Sequence, residues 1–478
     1  MKATKRRLEQ FLFYDYTGIE RHLEKMASKG WQLHKITRFG WEYRKAELRQ
    51  LTYTVTYFSE ASQFNPYPTE NQQTFYEYCK DAGWRLAAQW GQMQIFCTER
   101  ENPTPIETDG SVKLKAIHRA MKKNFLPSNI FMFLMYLFLI FLQFQTLLND
   151  PVGQLSSSST LLMMAALMIL AVQMLIPLIG YAAWYQGSKK AVSMGATRVE
   201  SSSYRHISLF MWFLTAVVLV LVISSMSTQR FGWGVVLGLV NVTALIALVF
   251  IIKNVLKRAK VSRRINLTVT MVSCIILSIV LTGAMTWGII RGVKAGWFDS
   301  ARHETYTTVM SNGSTHTWDI YSDPLPLKVE DLQGTDYEHY SYEWTARESF
   351  LLAQYTARQN AFPDGLPAAE LNYVIMSVKL PAIFDICLND YLGMHHYDQD
   401  VPEEEKKYFR QTDDVAWQAD AAYQLYRHNE ALAQYILCWN NQIVYIRYDE
   451  IPTTAQIAIT AEKLSAEVVC DSKGQYRP

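Results

Sequence analysis

Cysteine is scarce in the 478-residue chain, and no two of its six cysteines form a C-x-x-C pair. That excludes a zinc ribbon and a thioredoxin-like site. No G-x-S-x-G elbow and no H-E-x-x-H helix occurs, so two recognisable hydrolase signatures are missing. The first residues, MKATKRRLEQFLFYDY, are basic but lack a sustained apolar run, so no signal peptide is expected. The long apolar stretches hold no Asp, Glu, Lys or Arg. Ion and proton pathways ordinarily need ionisable groups at membrane depth, which disfavours a coupled transporter. No catalytic residue, cofactor or metal ligand is assigned, no nucleic-acid partner is expected, and the chain reads as a non-enzyme.

Membrane layout is what the sequence does supply. Apolar runs of about 20 residues suit a bilayer crossing, and they fall at Leu126–Leu148, Leu161–Tyr185, His206–Met226, Phe231–Ile252 and Ile265–Ile290. Basic residues occupy alternate connections: Lys113, Lys115, Arg119, Lys122 and Lys123 before the first run, Lys189, Lys190, Arg198 and Arg205 after the second, and Lys253, Lys257, Arg258, Lys260, Arg263 and Arg264 after the fourth. The positive-inside rule then puts the N-terminus in the cytoplasm and, after five spans, the C-terminal region outside. Trp184, Tyr185, Trp212, Trp233 and Trp287 lie near the span ends, where amphipathic rings favour the interface. Gln143, Gln145, Gln173 and Asn241 inside the spans suit hydrogen bonds between helices.

Charge divides the same way. From Asp299 onward there are 28 acidic and 13 basic residues, against 16 and 33 before it. The expected organisation is a cytoplasmic α+β domain over residues 1–105, a basic juxtamembrane linker over 106–125, a five-helix transmembrane region over 126–291 and an acidic extracytoplasmic α+β domain over 292–478. The linker's lysines also suit anionic lipid headgroups.

The first domain reads as βαββ twice. FLFYDY is expected as a strand, TGIERHLEKMASKG as a helix, and WQLHKI and GWEYRK as a strand pair; LTYTVTYF, TENQQTFYEYCKDAG, WRLAAQ and QIFCTER repeat that order. Thr17 with Glu20 and Thr69 with Gln72 fit the capping box. Gly30 and Gly83 fall where a helix ends in the left-handed conformation that glycine adopts freely. Such a stop pairs Trp31 with Met26 and Trp84 with Cys79 as hydrophobic latches. Two such units are expected to form one antiparallel-rich sheet with both helices on one face. The open face would dock a protein partner or a second copy, and Trp41 and Trp90 are the alternative candidates for such a surface.

The segments HLEKMASKGWQL, GWEYRK and FYEYCKDAGWRL resemble a bacterial membrane-protein family carrying domain of unknown function 2812. The family pattern is similar to WL..MA.KGW.L, with His22 standing here in the tryptophan place. The resemblance spans about Phe11 to Arg100 and implies a membrane or envelope role, found among Gram-positive bacteria and often beside PadR-like regulators. It carries over no catalytic residue.

In the acidic domain, TYTTVMSNGSTHTWDIY is expected as a hairpin turning at Asn312-Gly313, and NYVIMSVKL as a strand. EWTARESFLLAQYTARQ, PAIFDICLNDYL and VAWQADAAYQLYRH are expected as helices. YILCW and QIVYIRY flank a turn at Asn440-Asn441, before a helix capped by Thr453 and Gln456. Cys387, Cys438 and Cys470 read mainly as buried thiols, Glu403–Glu405 as a solvated face, and His395-His396-Tyr397-Asp398 with Asp400 lacks a second histidine pair at ligand spacing. Acidity here suits a cationic peptide as partner. The leading reading is a sensing or interaction protein joining an external binding domain to a cytoplasmic module; the alternative is an envelope-stress or cationic-peptide immunity or transport component.

Overall fold

The computed structural model describes residues 4–9, 11–37, 40–47, 50–196, 205–227, 232–295, 304–309, 315–334, 340–361, 369–394, 406–471 and 474–477. Trp297, the Asn312-Gly313 turn, the His395–Asp400 run and Glu403–Glu405 lie outside them. The chain divides into two compact units, Met1–Ile140 with Ala165–Phe298 and Phe141–Met164 with Asp299–Pro478.

The first unit opens with β1 (Thr4–Arg7), α1 (Tyr16–Ala27), β2 (Trp31–Thr37) and β3 (Gly40–Lys45). Then come β4 (Thr52–Tyr57), α2 (Glu70–Asp81), β5 (Arg85–Trp90) and β6 (Met93–Thr98). Two three-stranded antiparallel sheets result, in the orders β1-β3-β2 and β4-β6-β5, where a single sheet was expected. FLFYDY is not a strand: Tyr14 within it is fully buried, and the basic stretch TKRR forms the edge strand β1 instead. Positive charge on an edge strand discourages pairing with another chain.

Backbone demand explains how α1 meets the second sheet. β4 is an edge strand, so its outward N–H groups need acceptors. Glu20 accepts from the Val55 N–H at 2.9 Å, and Glu24 from the Tyr53 N–H at 3.3 Å. Carboxylates four apart on a helix thus serve amides two apart on a strand. Glu20 therefore does not close a capping box with Thr17; the Asp15 side chain caps α1, accepting from the Gly18 N–H at 3.0 Å. Thr69 does cap α2, accepting from Gln72.

Next comes a long helical run: α3 (Gly110–Ala120), a π turn at Met121–Phe125 and α4 (Leu126–Asn149). After the short α5 (Pro151–Leu155) follow α6 (Ser158–Ser193), α7 (Arg205–Ser227), α8 (Gly232–Arg258) and α9 (Arg263–Lys294). Four helices are long and apolar enough to cross a membrane among the described residues: Leu126–Asn149, Ser158–Ser193, Val240–Arg258 and Arg263–Lys294. The apolar part described in α7, Leu209–Leu221, is shorter. α8 and α9 are linked by the Asn241 amide, which donates to the Met285 sulfur at 3.6 Å.

The second unit holds the hairpin β7 (Glu304–Val309) and β8 (Thr315–Ile320), the turn of helix α10 (Val329–Leu332), then β9 (Tyr340–Glu348), β10 (Leu352–Ala361) and β11 (Leu371–Val378). α11 (Phe384–Leu392), β12 (Tyr408–Gln411), β13 (Ala421–Arg427), β14 (Glu430–Trp439), β15 (Gln442–Arg447) and α12 (Thr454–Leu464) complete it. Seven strands make one antiparallel sheet in the order β12-β13-β14-β15-β11-β10-β9. Tyr373, Ile375, Val444 and Ile446 bury one face with α12 residues Ala461 and Leu464; Met376, Val378 and Ile443 bury the other with Cys387 of α11 and Val152 of α5. EWTARESFLLAQYTARQ is thus two strands, and Ala421–Arg427 a third, where helices were expected. Period-two packing prevails there, with Trp344 and Tyr355 stacked at 5.4 Å. Thr453 and Gln456 form the capping box of α12.

Candidate functional site

Both Gly-Trp phrases mark helix ends. Gly30 has φ 78° and Gly83 φ 87°. After α2, the Gly83 N–H donates to the Lys80 carbonyl and the Trp84 N–H to the Cys79 carbonyl at 2.8 Å, the two bonds of a Schellman turn. Trp84 and Cys79 share a small core with Phe96, and burial pushes the Cys79 thiol up to about 11. After α1, the Gly30 N–H donates to the Ala27 carbonyl, and Met26 and Trp31 join the larger core. Trp41 is only 6% exposed and packs on Phe11 at 5.4 Å. It belongs to the core, and Trp90 packs partly buried on the same core.

His22 occupies an acidic niche. Its Nε2 lies 3.1 Å from Glu9, whose side chain is almost fully buried and also 3.3 Å from the Arg7 Nε. Tyr43 Oη lies 3.2 Å from the same imidazole nitrogen, and Phe11 packs on the ring.

The densest chemistry lies where α3 and the end of α6 meet the α/β layer. Lys113 places its ammonium 3.8 Å from Glu20, 3.7 Å from Glu107 and 4.3 Å from the centre of the Tyr16 ring. Burial raises the Glu107 pKa; Lys113 opposes the rise, while Glu20 adds to it. Beside this knot, Tyr14 packs on Tyr181 and Trp184 at 5.5 and 5.2 Å. His118 of α3 stacks on Tyr185 at 4.2 Å and sets its Nδ1 2.6 Å from the Tyr181 hydroxyl. Desolvation, helped by Lys122, lowers the His118 pKa and favours the neutral ring. Trp184 Nε1 and Ser188 Oγ are buried without a hydrogen-bond partner among the described residues, beside a cavity of about 10 Å³, room for about one water.

A second seam ties β4's following loop to the α8–α9 turn. Asn266, fully buried, donates to the Phe64 carbonyl at 3.3 Å and the Lys253 carbonyl at 3.4 Å, while its own oxygen accepts from Thr270. Lys253 and Lys260 lie over the rings of Phe64 and Tyr67.

From sequence alone Lys113 is a charge facing the cytoplasm, Glu20 a helix cap and Trp184 an interfacial ring, and Glu107 carries no role. Trp184 is buried in the core, not in an aromatic belt. The available signal was spacing: Tyr181, Trp184, Tyr185 and Ser188 line one helical face beyond Pro177. Among the described residues, no three His, Cys, Asp or Glu side chains gather at metal-binding spacing. All six cysteines are free, and burial pushes Cys387 to about 11 and Cys438 to about 12, away from the reactive thiolate.

Residues 15–128 match the family described as protein of unknown function (DUF2812), which is about a quarter of the chain. No curated protein and no solved structure matches the chain.

Proposed function

We propose, starting from that match over residues 15–128, that the chain is a bacterial multipass membrane protein that senses or binds at one face and signals at the other, without enzymatic activity. The observation that carries this is the anchoring of α6 at both ends. Its last turns, at Tyr181 and Trp184, belong to the core of α1, β4 and α3. Its first residue, Ser158, donates to the Glu348 carbonyl at 2.8 Å, and the preceding α5 buries Val152 in the seven-stranded sheet domain. A disturbance of that sheet domain therefore has a helical route to the N-terminal layer.

Several finer elements belong to the same reading. α7 serves as a fifth span, the basic connections keep the N-terminal sheets in the cytoplasm, and the sheet domain is extracytoplasmic. The two βαββ units arose by duplication, a view supported by their matching strand orders, β1-β3-β2 and β4-β6-β5. Partner proteins, or a second copy, dock on the cytoplasmic sheets, and a cationic peptide is the favoured external ligand because the outer domain is acidic. Protection against such peptides is the second reading, which the same acidity favours.

Hydrogen exchange tests the relay. Val152→Asp, which breaks the α5 clasp, is expected to speed exchange of α3 and α1 amides in the full-length protein in nanodiscs. Unchanged exchange there, alongside a loosened α5, would refute it.

A further inference from the structure

The sheet domain exposes large apolar side chains beside the start of a membrane helix. Phe350 is 72% exposed in the β9–β10 turn, Leu380 43% after β11, and Ile386 50% on α11. Solvent-facing aromatics and leucines at turn tips gain nothing in water. Their placement is fixed by hydrogen bonds. Lys379 N–H donates to the Leu351 carbonyl at 3.0 Å, which joins the two turns. Ser349 Oγ donates to the Leu155 carbonyl at 2.6 Å, and Ser158 Oγ to the Glu348 carbonyl at 2.8 Å, which hold both turns against the α5–α6 connection. α11 lies on the same side: the Asp390 carboxylate accepts from the Val152 N–H, and Ile386 stands one turn earlier on that helix.

Ser158 opens a helix that is apolar from Leu161 onward, so its neighbours stand at the depth of lipid headgroups. Apolar side chains bind that layer by sinking about 5–10 Å into the headgroup–acyl boundary. We infer that Phe350, Leu380 and Ile386 form a docking patch that seats the sheet domain on the bilayer surface around α4 and α6. The occupant is the lipid itself. Attraction to anionic headgroups is not what holds it, since Asp385 and Asp390 share α11 with Ile386, Asp150 acts on Asp390, and Lys379 is paired with Glu348. Membrane docking would lock the α5 clasp, and it holds whether or not the helices relay a signal.

Lipid-borne quenching reads this directly. In the full chain with Cys274→Ser and Cys470→Ser, which removes the two least buried thiols, single cysteines are introduced by Phe350→Cys, Leu380→Cys or Ile451→Cys and labelled with NBD. Ile451 is 58% exposed but follows β15 at the opposite strand ends. The 8 residues of β11 that separate the two ends, at about 3.3 Å each, put it about 26 Å away. In phosphatidylcholine vesicles carrying 5-doxyl lipid, positions 350 and 380 should lose most of their emission and position 451 should keep it. Added salt should change neither result. Equal emission from all three sites would overturn the proposal, as would crosslinking through position 350 between copies with no quenching, which would assign the patch to self-association. Continued protection of Cys387 from thiol reagents reports that each labelled protein is folded.

Discussion

Gly83→Ala isolates what the end of α2 contributes. The left-handed φ of 87° at this position costs an L-residue about 1–2 kcal/mol. A Cβ there would also lie 2.4 Å from Cζ of Arg100, so the guanidinium must withdraw. Withdrawal loses its bond to the Ala82 carbonyl, now 3.1 Å long, worth about 0.5–1.5 kcal/mol for an exposed donor. A stiffer unfolded chain returns about 0.4–1 kcal/mol. The net is about 2 kcal/mol, or about a 30-fold rise in the open population. Cys79 is the reporter, because it is buried against Trp84 and becomes reactive only when this end opens. Its labelling rate under native conditions, followed by peptide mass spectrometry, should rise by that factor. Arg100→Ala should give the smaller share alone. An unchanged rate in Gly83→Ala, or the whole effect from Arg100→Ala alone, would refute a backbone penalty at Gly83.

Other sites yield sharper expectations than their sequence context suggests. Glu107 has its folded-state pKa raised by burial, so its contribution to stability is fully present below the unfolded value and is lost as pH rises through the folded one. Glu107→Gln should therefore flatten the decline of Tm above about pH 4.5, and a parallel drop at every pH would contradict this. His22→Leu strips one partner from the buried Glu9 carboxylate and should cost about 2–3 kcal/mol, less than a complete loss of pairing because Arg7 remains; the double variant with Glu9→Gln should recover most of it in denaturant titrations. Asn266→Ala removes the bond to the Phe64 carbonyl and should speed limited proteolysis within residues 59–68, whereas proteolysis at the wild-type rate would show that the loop is held otherwise.

Punctuation was the most legible layer of the fold. Gly30 and Gly83 could be placed from their neighbours because a left-handed helix stop is a local demand. The long helices could be placed because bilayer length is a property of composition. Pairing was not legible: TKRR has no apolar alternation, and β1 exists because β3 offers it a backbone edge. EWTARESFLLAQYTARQ is rich in helix formers, yet its Trp344 and Tyr355 pack across a hairpin that only the remaining strands make worthwhile. The site was the least legible part. A partly buried Lys113 and a partly buried Glu107 are written with the same letters as solvated ones, and Tyr14 reveals its role only when Tyr181, 167 positions later, lies against it.

Pro177 within α6 gives that helix a weak joint. Proline donates no amide and crowds the carbonyl four residues back, at Gln173. The joint lies one turn before Tyr181, between the two anchored ends of a helix 36 residues long. A relay of the kind proposed would travel poorly as a piston stroke, because axial push is absorbed as bending at the proline. It would travel better as swivel, since the segment after the joint can rotate as a body. A thicker or thinner bilayer is then met by a change of bend at Pro177, which leaves Tyr181 and Trp184 seated in the N-terminal core.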